Sequence, residues 1–295
     1  MHPLEQRDLF LGLTDLSLDD SPVDLGDGLV LSKTFAKFLS PLPLVNTAPP
    51  DPDPLKLSPA YWQCSARDNE VLAQLFIPAT AVASFSKRYE LGSFLVALLR
   101  LWSDPSIGLH VLSSHNFASL VGLPDTDRPV LIPIETHMRH FRLATIEPSS
   151  VVPSLPWVKD NWKTAYRLYV SSAEFRLAVD TLDSGQFVPN PALALVALWG
   201  ALEAIFSPST AELKFRVSAL IASYLKPPGQ ERLELQKQMA SLYDMRSAAA
   251  HGKPKHHGDD LLKTFELLRR VVIRMIHDGA VPTKDLLERR LFGAE

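Results

Sequence analysis

The stretch 191-PALALVALWGALEAIF-206 decides the fold of the second half of this 295-residue chain. Its only charged residue is Glu203, and every other position is apolar. Asn190 precedes it, and asparagine is among the residue types that cap helix N-termini. Pro191 stands at the first helical position, where the missing N–H has no intrahelical partner to lose. We therefore predict an almost wholly apolar helix from Pro191 through Phe206.

Capping and stop signals on both sides of this stretch predict further helices. Ser209 with Glu212 forms a capping box, and Gly252 is placed to end a helix in the left-handed conformation. The predicted helices cover about residues 159–182, 191–206, 209–225, 231–250 and 259–279, with a short one after Pro282. The connections are short, which favours an antiparallel helical bundle.

Proline usage separates this helical half from the residues before it. Residues 1–156 hold 17 of the 24 prolines, and helix interiors exclude proline. Strands are predicted at 9–13, 28–31, 108–112 and 130–134, one helix at 91–102, and a proline-rich loop at 41–59. We expect an α+β N-terminal domain, residues 1–155, joined near 153–156 to an all-α domain of residues 156–295.

Composition limits the class of protein. The single cysteine, Cys64, excludes an internal disulfide framework and suits a reducing compartment. The N-terminus lacks the order of a signal peptide, and the longest apolar run is shorter than the ~18 residues of a membrane span. We expect a cytoplasmic protein with no membrane partner.

Charge is unevenly distributed along the chain. Residues 1–150 contain 11 Lys and Arg against 17 Asp and Glu, a net −6, whereas residues 151–295 contain 19 against 16, a net +3. A phosphate-binding surface is therefore expected in the second half.

Arg246 is the anomaly in the helix predicted at 231–250. The buried stripe of that helix is Leu235, Met239 and Leu242, and at 100° per residue Arg246 falls ~20° from Leu235 on that stripe. An unpaired charge is not stable in a core. Arg246 must therefore meet a buried acid, for which Glu203 is the candidate, or else a partner chain or a phosphate.

His251 follows Arg246 by five residues, which on a continuous helix would place the two on different faces. Because Gly252 should end the helix there, the imidazole is expected to fold back toward Arg246. Imidazole is the side chain best suited to proton transfer near neutral pH. Lys253 and Lys255 lie just beyond and either bind flanking phosphates or belong to a solvated loop.

Other candidate sites are weaker. His251, His256, His257 and Asp259 do not have the spacing of a helical metal-ligand pair, so we expect no metal and no other cofactor. Ser113, Ser114 and His115 suggest no catalytic triad, because no Gly-x-Ser-x-Gly elbow occurs in the chain.

The segment 242-LYDMRSAAAHG-252 resembles the R-x4-6-H signature of the HEPN superfamily, and most closely the pattern LY-x-x-RS-x-x-x-HG of its ApeA-like branch. The segments 201-ALEAIF-206 and 212-ELKFRV-217 are similar to two further helices of that branch, in the same order. The resemblance covers about residues 157–280. It implies a helical, metal-independent RNA endonuclease that acts as a homodimer, in the role of a toxin or an antiviral defence effector.

The resemblance also implies roles for individual residues. Arg246 would hold the scissile phosphate, and His251 would act as general acid or base. Ser247, Lys253 and Lys255 are expected to bind the RNA substrate, and Glu203 and Tyr243 to support the site; Ser247 stands where active members more often have Asn, Asp or His.

An antitoxin or a regulatory ligand is a further partner that such a role would call for. Two alternatives remain: a non-catalytic dimerisation module with Arg246 locked to Glu203, and a binding module whose N-terminal half recognises a ligand.

Overall fold

The structure is a computed structural model that describes residues 4–38, 69–124, 126–137, 139–141, 143, 151–206, 213–252 and 258–294. The proline-rich segment predicted at 41–59, and Cys64, lie outside these residues. The chain divides into two compact units. The first contains residues 1–92 and 107–136, and the second contains residues 93–106 and 137–295.

The first unit is built on a six-stranded antiparallel sheet. Its strands are β1 (Leu9–Thr14), β2 (Val23–Gly26), β3 (Leu29–Phe38), β4 (Asn69–Ile77), β5 (Gly108–Ser113) and β6 (Leu131–Pro133). Their order across the sheet is β2-β3-β4-β1-β5-β6. A 3-10 helix, Phe117–Gly122, follows β5.

The interior of the sheet contains alternating leucines that face one side. Leu9, Leu11 and Leu13 of β1 are fully buried, and Leu11 pairs in register with the equally buried Leu75 of β4. Helix α1 (Phe85–Trp102) reaches this face through Gly92, where an added Cβ would come within 2.7 Å of side-chain carbons of Leu11 and Ile77. The glycine therefore allows a close approach of helix to sheet.

Arg88 of α1 is 1% exposed, and its guanidinium group joins separate segments of the first unit. It donates to the backbone carbonyls of Leu4, Glu5, Ala79 and Val82 at 2.6–3.2 Å. These carbonyls would otherwise lose hydrogen bonds on burial, so the arginine compensates for their desolvation.

The four strands predicted in this half are present, and two further strands were not predicted. The important omission is β4, which pairs with both β1 and β3 in the middle of the sheet. Its sequence, NEVLAQLFI, is a short apolar run interrupted by the buried Gln74, and periodicity alone does not distinguish such a run from a helix.

The second unit is helical. After the last turns of α1 it contains α2 (Val151–Ser171), α3 (Ala173–Gly185), α4 (Pro191–Phe206), α5 (Leu213–Leu225), α6 (Gln230–Ala250), α7 (Gly258–Asp278) and α8 (Lys284–Phe292). An α+β N-terminal unit followed by a helical region agrees with the fold class predicted from the sequence.

The start of the helical region differs from its prediction in two ways. The first concerns the region predicted as a single helix over 159–182. It consists of α2 and α3, separated at Ser172, whose hydroxyl caps α3 by accepting the Phe175 N–H at 3.2 Å. The predicted junction at 153–156 lies inside α2, which already begins at Val151. Pro153 is tolerated because first-turn N–H groups have no intrahelical acceptor, and Pro156 removes one hydrogen bond of the following turn.

Helix α4 lies at the centre of the second unit and packs against α3, α5, α6 and α7. Eight of its sixteen residues are buried, among them the fully buried Trp199. No helix in the described part of the chain is both long and apolar enough to cross a bilayer.

His110 of β5 generates a prediction about pH. It is 8% exposed, its ring lies 5.5 Å from that of Phe38, and burial lowers its pKa below the ordinary value. Because the unfolded chain binds the proton more readily, this contribution to stability is present above about pH 6.5 and is lost as pH falls toward the folded pKa.

Between about pH 7.5 and about pH 5, we therefore expect the free energy of unfolding of His110→Leu to fall less than that of the wild type. Urea titration at each pH measures this difference. The matched control is His137→Leu, since His137 is exposed and its loss should leave the pH dependence intact. Equal pH dependence in the wild type and His110→Leu would contradict the prediction.

Candidate functional site

Helix α6 ends as the sequence predicts. Its last helical residue is Ala250, His251 is the C-terminal cap, and Gly252 has a φ of 69°. The Gly252 N–H donates to the Ala249 carbonyl at 3.2 Å, and the His251 N–H donates to the Ser247 carbonyl at 3.2 Å. The left-handed φ at Gly252 is one that glycine adopts without strain, so this residue fixes the position of the helix end.

Arg246, one turn earlier, forms an ion pair with Glu203 of α4. The Nη2 atom donates to Oε2 at 2.9 Å, and the two side chains are 23% and 19% exposed. The pair thus joins two helices at a half-buried position. Arginine has five N–H donors, and its only hydrogen bond to a described residue uses one of them.

Aromatic side chains pack beside the Arg246–Glu203 pair. The guanidinium carbon of Arg246 lies 5.5 Å from the centre of the Tyr243 ring, in cation–π contact. Tyr243 in turn makes an edge-to-face contact with Trp199 at 5.2 Å. Burial raises the pKa of the Tyr243 hydroxyl above its ordinary value, and the hydrogen bond with Glu203 and the negative charge of that carboxylate raise it further.

Three buried polar atoms of this cluster make no hydrogen bond with the described residues. They are Nε1 of Trp199, Oε1 of Glu203 and Nε of Arg246. Buried polar groups are normally satisfied, so a cluster of three is unusual. The cluster therefore retains two donors and one acceptor that no described residue satisfies.

The other residues predicted for the site are His251, Ser247, Lys253 and Lys255. The His251 side chain is exposed, and no hydrogen bond or ion pair joins its imidazole to Arg246 or to any other described residue. Ser247 is half-buried beside Arg246 on the same helix. Lys253 and Lys255 lie outside the described residues. The structure thus brings Glu203, Tyr243 and Arg246 together and leaves the imidazole in solvent at the helix end.

Trp199 is a part of the cluster that the sequence did not single out. An apolar run offers no local signal that one tryptophan will contact a tyrosine 44 positions later. Within the described ranges no three His, Cys, Asp or Glu side chains are grouped so that they could hold a metal ion, and His256 and His257 lie outside those ranges.

The first unit contains a chain of contacts from Ser114 through His115 to Asp127. The chain has no elbow motif, so these contacts were not predicted from the sequence. Ser114 Oγ lies 2.8 Å from His115 Nδ1, and His115 Nε2 lies 3.0 Å from an Asp127 oxygen. Ser114 is 6% exposed, however, and its oxygen already accepts the Val130 N–H at 2.9 Å. A buried hydroxyl bound in this way serves to hold the residues before β6 against β5.

Comparison with protein-family models, with curated proteins and with solved structures finds no match to this chain. The resemblance of the three segments between 201 and 252 therefore rests on their sequence alone.

The Glu203–Arg246 pair should contribute to the free energy of unfolding. Removing one partner of a buried ion pair strands the other charge, at a cost of ~3–5 kcal/mol when burial is complete. Since about a fifth of each side chain is exposed, we expect Arg246→Ala to lower the free energy of unfolding by about 2–3 kcal/mol. The double variant with Glu203→Ala should lose less than the sum of the single losses.

The measurement is a double-mutant cycle in urea, with an expected coupling of about 1–2 kcal/mol. The matched control is the cycle on Lys214 and Asp244 of α5 and α6, which pair at 2.6 Å but are about half exposed. Their coupling should stay below about 0.5 kcal/mol. A coupling at Glu203–Arg246 no larger than this would show that the pair is not structural.

Proposed function

We propose that the helical unit is a metal-independent RNA endonuclease of the HEPN type that acts as a homodimer, with Arg246 and His251 contributed by both protomers. The observation that carries the proposal is the arrangement at the end of α6. A guanidinium group held by Glu203 and Tyr243 lies one turn from an exposed imidazole at the helix terminus.

The position of Arg246 suits a group that binds a phosphate. Its side chain is partly exposed, its orientation is set by Glu203 and Tyr243, and most of its N–H donors make no hydrogen bond to a described residue. A preorganised guanidinium stabilises the charge that develops on a phosphorane without reorganising during the reaction. Glu203 would then be a positioning residue, because it holds Arg246 and does not itself reach the substrate.

The chemistry needs no further nucleophile. The ribose 2′-oxygen would attack phosphorus as its proton passes to a neutral imidazole, while the bond from phosphorus to the 5′-oxygen breaks and that oxygen takes a proton from an imidazolium. One His251 cannot be in both protonation states at once, but a two-fold dimer supplies two. The products would be a 2′,3′-cyclic phosphate and a free 5′-hydroxyl.

Helix α4 supports the dimer. Its exposed positions are Pro191, Leu193, Ala197 and Ala204, so even its solvent side presents apolar atoms. The half-buried Gly200 lies on the same side and has no atoms within 4 Å of where its Cβ would be. At the alanine and glycine positions of this face, two helices can approach closely. Glu203 lies three residues from Gly200 and hence beside this face.

A toxin or an antiviral effector is the biological role that the resemblance implies for this activity. The net charge of +3 over residues 151–295 is compatible with an RNA substrate.

A second candidate function is a non-catalytic dimerisation module. It is favoured by the same 2.9 Å pair, since an arginine that satisfies a buried glutamate has a structural role without any substrate. The two candidates differ in whether Arg246 has a function beyond stability.

Either Arg246→Ala or His251→Ala should reduce RNA cleavage at least ~100-fold, because each removes charge stabilisation or proton transfer. Cleavage should persist in EDTA and leave 2′,3′-cyclic phosphate ends, identified by mass spectrometry. The matched controls are Arg216→Ala and His277→Ala, which remove an exposed cation and an exposed imidazole elsewhere in the unit.

Activity that disappears with EDTA, or that survives both substitutions, would contradict the mechanism. A wild type that cleaves no RNA, combined with a large Glu203–Arg246 coupling, would support the dimerisation module instead. His251→Ala should leave the melting temperature nearly unchanged because its side chain is exposed.

The dimer has its own test. We expect the wild type to be dimeric by light scattering at micromolar concentration, and Ala197→Arg to be monomeric with unchanged helix content, because it places a charge in the apolar face of α4. Leu177→Arg is the control, since Leu177 is a 45% exposed leucine on α3. A wild-type monomer, or a dimer that tolerates Ala197→Arg, would exclude this interface.

A further inference from the structure

The second unit encloses a cavity of about 760 Å³ that is separate from the Arg246 cluster. Helices α3, α6 and α7 and the last turns of α1 form its walls. A volume of this size falls in the range of small-molecule sites, about 300–1,000 Å³.

Most of the buried lining is apolar, and the buried Gln186 and Arg100 also belong to it. Phe94, Leu98, Phe175 and Phe265 are all at most 3% exposed. Because these apolar side chains offer no hydrogen bonds, water is held poorly beside them and the apolar part of an occupant is favoured there.

The lining also contains charged residues. Of its basic residues, Arg100 is paired with Asp183 at 2.7 Å and Arg269 with Glu266 at 3.2 Å. Lys263 and Arg270 have no ion pair or hydrogen bond to any described residue. They are seven positions apart on α7, and therefore lie on the same side of that helix.

We propose that this cavity binds a small amphipathic anion, with its apolar body among the phenylalanine and leucine side chains and its carboxylate or phosphate group at Lys263 and Arg270. The combination carries the assignment: apolar walls select the body of the ligand, and two cations that lack an acid select the charge of its head. The site is independent of the proposed RNA cleavage, because neither Arg246 nor His251 lines it.

One wall of the cavity belongs to the helix that carries Arg246. Leu235, Met239 and Leu242 of α6 line the cavity, and Arg246 follows Leu242 by one turn. An occupant would thus contact the same helix that holds the candidate site.

The test is isothermal titration calorimetry of the full chain with sodium dodecanoate and with dodecyl phosphate, both below their micellar concentrations. We expect saturable binding of one ligand per chain and a negative heat-capacity change, as burial of apolar surface produces. The two heads separate a carboxylate preference from a phosphate preference. Three control ligands accompany them. Acetate has the anionic head without the apolar tail, dodecan-1-ol has the tail without the charge, and dodecyltrimethylammonium has the tail with the opposite charge.

Two variants separate the parts of the site. The double variant Lys263→Gln with Arg270→Gln should weaken binding about 10- to 100-fold, the range for hydrogen bonds to charged groups. Lys237→Gln, an exposed cation of α6 outside the cavity, should have no effect. Ser241→Trp places a large ring at an exposed lining position and should block binding without disturbing the core.

The proposal is overturned if neither anion binds the wild type, if Ser241→Trp binds as the wild type does, or if dodecyltrimethylammonium binds as tightly as dodecanoate. Since the readout is binding, loss of the proposed nuclease activity would leave this result unaffected.

Discussion

Helix α4 imposes the main constraint on the second unit, because a helix that is apolar on nearly every side must be covered on nearly every side. Four helices pack around it, and their side chains bury Trp199 completely. The residues of α4 left in solvent, Pro191, Leu193, Ala197 and Ala204, are themselves apolar. The burial of this one helix sets where α6 lies, and hence where Arg246 can reach.

Within that constraint, Glu203 is the single charge of α4, and the fold has to accommodate it. A carboxylate on a buried helix is stable only with a cationic partner, and α6 supplies Arg246. The same pairing gives Arg246 a fixed direction over Tyr243. The contact that joins the two helices therefore also sets the orientation of the guanidinium group.

The sequence predicted the helices well because their signals are local: apolar periodicity, the Asn190–Pro191 start and the Gly252 end lie within a few residues of what they specify. Strand β4 was not predicted because its place in the sheet depends on partners about 30–70 residues away. In the candidate site, Glu203 was predicted as the partner of Arg246 because it is the lone charge of its helix. Trp199 and the cavity were not, since both depend on the angles at which helices meet.

The division of the chain into units has a consequence for its synthesis. The second unit includes residues 93–106, which are made early, and the Leu101 carbonyl accepts a hydrogen bond from Arg269 at 2.6 Å, 168 residues later. Arg100 likewise gains its ion pair only after Asp183 has been made. A ribosome therefore releases most of the first unit while the last turns of α1 still lack their partners. The contacts of residues 93–106 within the helical unit therefore form only after the chain has been made as far as Arg269.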